Sequence, residues 1–250
     1  ILGKKISLWY AHKATPWHLG LAEKFADVIF TSTESGCRIK SKKIKVIGQG
    51  IDTEFFKPLD NRKDNEIFNI VTVGRLSKSK DYGTLILAVK SLNSRGVKLK
   101  LDIIGAPARP EDFMYLKELE SFVSVNKLEA VVSFIGSVPN REIMKYLEGA
   151  DLFVNMGQTG SLDKAVLEAM SVGIPVLTCN EAFGGVLGSL RDDLMVPKQD
   201  YDDLENKIRK IYGETFQERK SLGLGLRKII VENHNLRNFV KKIVNILQEI

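Results

Sequence analysis

Apolar and polar positions alternate along this chain in two rhythms that take turns. Short runs dense in β-branched and aliphatic residues are followed by longer stretches with apolar residues three and four apart, the spacing of a helix with one buried face. "KISLWYA" precedes the helix-like "PWHLGLAEKFA"; "DVIFTST" and "IKVIGQGID" follow with only "ESGCRI" between them. A polar, proline-containing stretch, "FKPLDNRKDNE", then interrupts the pattern. "IFNIVTVG" restarts it with almost no polar residue, as a parallel strand buried on both faces requires. "KDYGTLILAVKSLNSRG" is a helix with a glycine stop at Gly96.

The remainder alternates in the same way: strand "VKLKLDIIG", helix "PEDFMYLKELESFVSVNK", strand "AVVSFIG", helix "NREIMKYLEGA", strand "DLFVNM". A helix from about Leu162 to a stop at Gly173 leads into strand "IPVLTC". The glycine-rich "EAFGGVLGS" connects to a short strand, "DLMVP", and the chain is helical from Tyr201 onward. Repeated strand–helix units predict an α/β fold, a doubly wound, Rossmann-like parallel sheet with helices on both faces. The first part has about three strands, too few to cover a parallel sheet alone. With its opening Ile-Leu-Gly in place of Met, the chain reads as a piece of a longer protein.

Composition changes this picture little. Of 250 residues, 44% are hydrophobic and 27% charged, as in a soluble globular protein with a sizeable core. No apolar run approaches a membrane span and no leader pattern is visible. Cys37 and Cys179 lie far apart and read as free thiols of a reducing compartment. The three histidines, His12, His18 and His234, make no zinc pattern, so no metal is expected. The net charge of +6 is spread out, with one denser stretch, "RIKSKKIK" from Arg38 to Lys45. It reads first as a solvated turn. An anionic membrane surface is the sharper alternative, and nucleic acid is not expected, because no interleaved aromatics or recognition motif accompany it.

The sharpest local signal is "TGSLDKAVLEAMSVGIPV", Thr159 to Val176. Ser161 is a candidate N-cap, Leu162 the first helical residue and Asp163 a carboxylate suited to the positive end of the helix dipole. Lys164 then falls on the third helical position, where a capping box would place Glu or Gln. A bound anion would remove that conflict, and Gly160 would let it approach the backbone, so this turn reads either as a phosphate cradle or as a plain capped helix. Glu168 is the one charge between Ala165 and Asn180. A buried carboxylate needs partners. Arg75, Lys80 and Arg191 are structural candidates, and two hydroxyls of a ribose diol are the functional one. In "VTVGRLSKSKDYGTL" a buried strand ends in Gly74 and Arg75, where a doubly wound sheet binds ligands at its switch point. Arg75 and Lys80 there form either a diphosphate clamp or two solvated surface cations. No G-x-G-x-x-G fingerprint, P-loop or nucleophile elbow is present, which argues against dinucleotide oxidoreductases, nucleoside triphosphatases and serine hydrolases.

Four blocks in order resemble the retaining, nucleotide-sugar-dependent glycosyltransferases of family 4, also called glycosyltransferase group 1. They are "IKVIGQGIDTEFFKP", "VTVGRLSKSKDYGTLILAV", "FIGSVPNREIMKYLEGADLFVN" and "VLEAMSVGIPVLT". The resemblance covers nearly the whole chain. It implies the GT-B arrangement of two Rossmann-like domains facing across a cleft. Residues 1–50 would be the last part of the N-terminal, acceptor-side domain, 51–66 the linker and 67–234 the donor-binding domain. Residues 235–250, with "LRNFVKKIVNILQEI", would form the helix that crosses back.

By the same resemblance Arg75 and Lys80 would bind the donor diphosphate of a UDP- or GDP-sugar, without a metal or cofactor, and Glu168 the ribose hydroxyls. The loop from Gly136 to Val138 would contact the base. His12, in "LWYAHK", would reach the donor sugar. The acceptor would be a saccharide or a lipid-linked hydroxyl, and the place of action the cytoplasm, with the inner face of the membrane as a compatible surface. One position departs from the family's E-x7-E pattern: Glu168 matches the second glutamate, but the first is Gly160. In such a branch Lys164 and the backbone of Gly160, Ser161 and Leu162 would take over donor binding, with Asp163 either replacing a hydroxyl contact or only capping. The alternative to a transferase is a nucleotide-sugar-binding module without catalysis.

Overall fold

The computed structural model describes residues 3–158 and 160–250. The first part holds strand β1 (Ser7–Trp9), helix α1 (Trp17–Phe25), β2 (Val28–Thr31) and β3 (Ile44–Val46). The three strands form one parallel sheet in chain order, and "ESGCRI" contributes only a single tight turn at Glu34–Gly36.

The second part continues with β4 (Phe68–Val73), α2 (Tyr82–Ser94), β5 (Leu99–Ile104), α3 (Pro110–Val125), β6 (Val132–Gly136), α4 (Asn140–Glu148), β7 (Leu152–Asn155), α5 (Lys164–Val172) and β8 (Val176–Thr178). These strands form a five-stranded sheet ordered β6-β5-β4-β7-β8, parallel throughout. The chain winds outward from β4 through β5 to β6, then crosses to the other side for β7 and β8. Loops leaving β4 and β7 therefore turn opposite ways and leave a crevice at the carboxyl edge.

Residues 181–190 form short helical turns, including α6 (Gly184–Leu187), rather than an open connection. "DLMVP" is not a strand. Arg191–Leu194 are helical (α7), and only Met195 forms an isolated bridge to Thr178. The run is too short, and its two aspartates favour a helix start over an extended edge. Helices α8 (Tyr201–Gly213), α9 (Phe216–Asn233) and α10 (Leu236–Glu249) complete the chain.

The core follows the pattern of the strands. Ile70, Leu101, Ile103, Leu152, Phe153, Val154, Val176 and Leu177 are fully buried between α2, α5 and the other covering helices. Helix α9 packs on α5 where a Cβ at Gly223 would lie 1.9 Å from the Gly173 carbonyl oxygen, so the helices meet backbone to backbone. Between the two parts the chain passes twice at one place: Ile51 N–H donates to His234 O and Leu236 N–H to Ile51 O, each at 2.8 Å. Helix α10 then lays Phe239, Ile243, Ile246 and Leu247 against Val28 and Phe30 of β2 and Ile47 just after β3. Trp9 meets Phe239 edge to face, with ring centroids 5.8 Å apart.

Candidate active site at the carboxyl edge of the second sheet

Three chain segments converge at the crevice. The first leaves β4 through Gly74 and Arg75 and returns through the turn Lys78–Lys80. The second leaves β7 at Asn155, runs through Gly157 and reaches the start of α5. Thr159, which opens the segment singled out above, lies outside the described residues. The third is the loop after β1, carrying His12 and Lys13.

The start of α5 differs from expectation. Its N-cap is Asp163, not Ser161: the Asp163 carboxylate accepts the Ala165 N–H at 3.3 Å, and Lys164 is the first helical residue, not the third. The reason is tertiary. Lys80 Nζ donates to Asp163 Oδ2, and Asn155 Nδ2 donates to the same oxygen at 3.2 Å. These two groups, distant in sequence, fix Asp163 where the helix begins. Ser161 instead gives its carbonyl oxygen to Asn180 Nδ2 at 2.8 Å. Leu162 is buried in the core and does not lie on the crevice surface.

Gly160 sits in the left-handed region at φ +71°, and a Cβ there would lie 3.1 Å from Lys13 Cβ. Its carbonyl oxygen accepts Ser35 Oγ at 2.8 Å and Thr33 Oγ1 at 3.4 Å. The first part of the chain therefore touches the second at this turn, and a side chain there would be strained by the positive φ and pressed against Lys13. Gly160→Glu, which would complete the two-glutamate spacing, is expected to destabilise the protein by about 1–3 kcal/mol through backbone strain. It should add nothing to ligand affinity. A thermal melt and a nucleotide titration of the variant check both.

Glu168 is only 6% exposed. None of Arg75, Lys80 or Arg191 is its partner. Burial pushes its carboxyl up to about 7, against the Lys164 ammonium and the Asn140 side-chain amide, which both favour the charged form; Asp163 adds a small further rise. Lys164 lies one helical turn before Glu168 on the same face, which explains its pull on the carboxyl. Asn140, the first residue of α4, brings the loop after β6 against Glu168. That loop contains Gly136 at φ +80° and the half-buried Val138. Gly136 O accepts the Gly105 N–H at 2.8 Å, which ties the loop to the end of β5.

Arg75 is exposed and forms no ion pair or side-chain hydrogen bond among the described residues. Gly74 O accepts Tyr82 Oη at 2.9 Å, and this buried hydroxyl holds the turn after β4. His12 lies in the loop after β1, and its backbone N–H donates to Gly36 O at 2.7 Å. Its Nδ1 accepts the Ala14 N–H at 3.0 Å, so the neutral ring carries its proton on Nε2. Lys13, the next residue, touches Gly160, which brings the His12 loop to the crevice.

The site thus brings Lys80 to Asp163 at a helix start, sets Lys164 beside Glu168 one turn on, and leaves Arg75 exposed on the loop after β4. That arrangement suits an anion beside a group that offers hydroxyls. Sequence reasoning missed Asn155, Asn140 and Gly157. A polar residue ending an apolar strand was a visible signal for Asn155; nothing local pointed to Asn140. Among the described residues no group of three or more His, Cys, Asp or Glu lies together, and no helix is long and apolar enough to cross a membrane.

Residues 51–228 match the family model described as glycosyl transferases group 1. Among curated proteins, a putative colanic acid biosynthesis glycosyltransferase, WcaL, of Escherichia coli K12 is 27% identical over 174 residues, 67% of this chain and 41% of the relative. The amylovoran biosynthesis glycosyltransferase AmsK of Erwinia amylovora is 30% identical over 149 residues, 57% of this chain and 35% of that protein. The chain thus spans well under two thirds of the length of these relatives. Among solved structures, Anabaena Alr3699/HepE in complex with UDP and glucose superposes with a TM-score of 0.85 at 17% identity, over 99% of this chain and 72% of that one. The C-terminal domain of a group 1 glycosyl transferase, LpcC of Francisella tularensis, superposes with a TM-score of 0.64 at 20% identity, over 75% of this chain and all of the other. These likenesses show the GT-B glycosyltransferase fold.

Proposed function

Because this chain belongs to the group 1 glycosyl transferases, we propose that its crevice binds a UDP- or GDP-sugar and that the protein transfers the sugar to a hydroxyl with retention. The convergence of Lys80, Asp163 and the α5 start at the switch point carries this reading. Arg75 and Lys80 stabilise negative charge on the departing diphosphate as the sugar–phosphate bond breaks, without a metal. The free N–H groups of the α5 start and Lys164 add to that field. Glu168 accepts the two ribose hydroxyls, and the loop from Gly136 to Val138 contacts the base. His12 Nε2–H faces the donor sugar from the other side of the crevice.

In this reading residues 67–234 are the donor-binding domain, 1–50 the acceptor side, 51–66 the linker and 235–250 the brace. The acceptor is a saccharide or lipid-linked hydroxyl of a polysaccharide or glycolipid pathway, by analogy with the colanic acid and amylovoran transferases. Catalysis takes place in the cytoplasm, and the basic stretch from Arg38 to Lys45 suits contact with the inner membrane face.

A second reading, binding without transfer, is favoured by the absence of a carboxylate at Gly160. The first test is a thermal-shift titration with UDP, GDP and ADP and their sugar conjugates. Ligand that prefers the native state stabilises it by about 2.7 kcal/mol at a hundredfold excess over Kd. A shift selective for one base is the expected result. A cooperative melt that none of them moves would count against a donor site. Release of sugar or its transfer to an acceptor separates the transferase from the binding module.

A further inference from the structure

Lys80 reaches the crevice through a slot that two glycines leave open. A Cβ at Gly157 would lie 3.0 Å from Lys80 Cδ and 3.2 Å from its Nζ, and a Cβ at Gly74 would lie 3.1 Å from its Cε. The slot delivers the ammonium to Asp163 Oδ2. Lys80 is not the only group that holds Asp163 there. Its Oδ1 caps α5, and its Oδ2 accepts Asn155 Nδ2. Asn155 is itself buried, and its Oδ1 accepts the Gly157 N–H at 3.1 Å. The carboxylate therefore has two further holds on the β7–α5 framework, whereas Lys80 Nζ has Asp163 as its one partner among the described residues. The side chains of the pair are 14% and 15% exposed, so the pair is reachable from the crevice.

A diphosphate that uses Lys80 meets a second anion already seated on the same ammonium. Like charges that close repel strongly in a partly dry site. We propose that Asp163 is an exchangeable counter-ion of Lys80, which competes with the diphosphate for the ammonium and so weakens retention of the nucleoside diphosphate product. The proposal rests on the donor-site reading above and deepens it. In many transferring enzymes product departure limits turnover. A fixed carboxylate offers Lys80 a partner as the diphosphate leaves, so the site empties without stranding a buried charge. Asn155 is a positioning residue in this scheme, because it stops the carboxylate from following the lysine.

The test is calorimetric titration of the wild type, Asp163→Asn and Asp163→Ser with inorganic diphosphate and with UDP, GDP and ADP. Asn and Ser both remain good N-caps, and thermal melts confirm folding. Both variants are expected to bind diphosphates about tenfold more tightly, since the competing charge is gone. Adding Lys80→Met should abolish that gain. A carboxylate that serves only to cap or to hold Lys80 in place predicts unchanged or weaker binding, and that result in both folded variants overturns the proposal. Tightening without preference for any nucleotide over inorganic diphosphate supports the exchange and sinks the donor reading. Nucleotide preference without tightening does the reverse. No binding by any of the proteins sinks both.

Discussion

Glu168→Gln is expected to weaken nucleotide-sugar binding by about 10–100-fold while making the ligand-free protein more stable. The two effects share one cause. Glu168 is buried, and burial outweighs Lys164 and Asn140, so its carboxyl titrates near 7 in the folded state against an ordinary value of 4.5. The folded protein therefore binds more protons than the unfolded chain between about pH 4.5 and 7. Stability falls as pH rises through that window. The penalty is complete above about pH 7 and is on the order of 3 kcal/mol, taking about 1.36 kcal/mol per unit. An amide of the same shape escapes it. Thermal melts at about pH 4 and about pH 8 should show the variant's advantage at the higher pH only.

The affinity loss follows from exchanging a charged acceptor of two hydroxyls for a neutral one, at about 1.5–3 kcal/mol for a hydrogen bond to a charged group. Wild-type affinity should also rise with pH through about 7, as Glu168 ionises, and the variant should lack that rise. A variant that binds as tightly as the wild type removes Glu168 from the donor site. A variant that melts lower at the higher pH shows that the carboxylate is structural.

Asp151→Ala gives the opposite pattern: a loss of about 3–5 kcal/mol in stability with nucleotide affinity unchanged. Asp151 is buried like Glu168, but every part of it is met. Oδ1 accepts Arg62 Nη2 at 2.9 Å; Oδ2 accepts Asn65 Nδ2 at 2.8 Å and the Asn69 N–H at 2.9 Å. These bonds pin the segment before β4 and the start of β4 to the start of β7, at the edge of the sheet away from the crevice. Removing the carboxylate strands the Asn69 N–H and leaves Arg62, whose side chain is 20% exposed, without its counter-ion. Urea denaturation and a nucleotide titration of the same preparation decide it. The two carboxylates differ in what surrounds them. One is held by three hydrogen bonds from the protein, and in the other burial outweighs the groups that favour its charge.

Strands of the second sheet were legible because β4, β7 and β8 are short, mostly apolar runs, as parallel strands buried on both faces require, while β5 alternates in its first half. "IFNIVTVG" and "DLFVNM" became β4 and β7, and their order fixed the crevice. The odd charge at Glu168 and the cations after β4 were legible for a related reason: a polar residue in an apolar setting costs free energy and stands out. "DLMVP" is not the strand it resembles, because a short run with flanking aspartates satisfies strand and helix patterns alike.

What the sequence determined by itself was the alternation of elements, the parallel sheet and the residue types gathered at its carboxyl edge, since periodicity and burial act locally along the chain. The tertiary structure alone decided which of those residues meet. Ser161 and Asp163 are both good caps, and the choice went to Asp163 because Lys80 and Asn155 arrive there from other elements. Beside Glu168, Lys164 follows from helical spacing, but Asn140 comes from another element, and none of Arg75, Lys80 or Arg191 is its partner. Pairing of buried charges depends on distances of a few ångströms between segments far apart in the chain, and no local pattern encodes them.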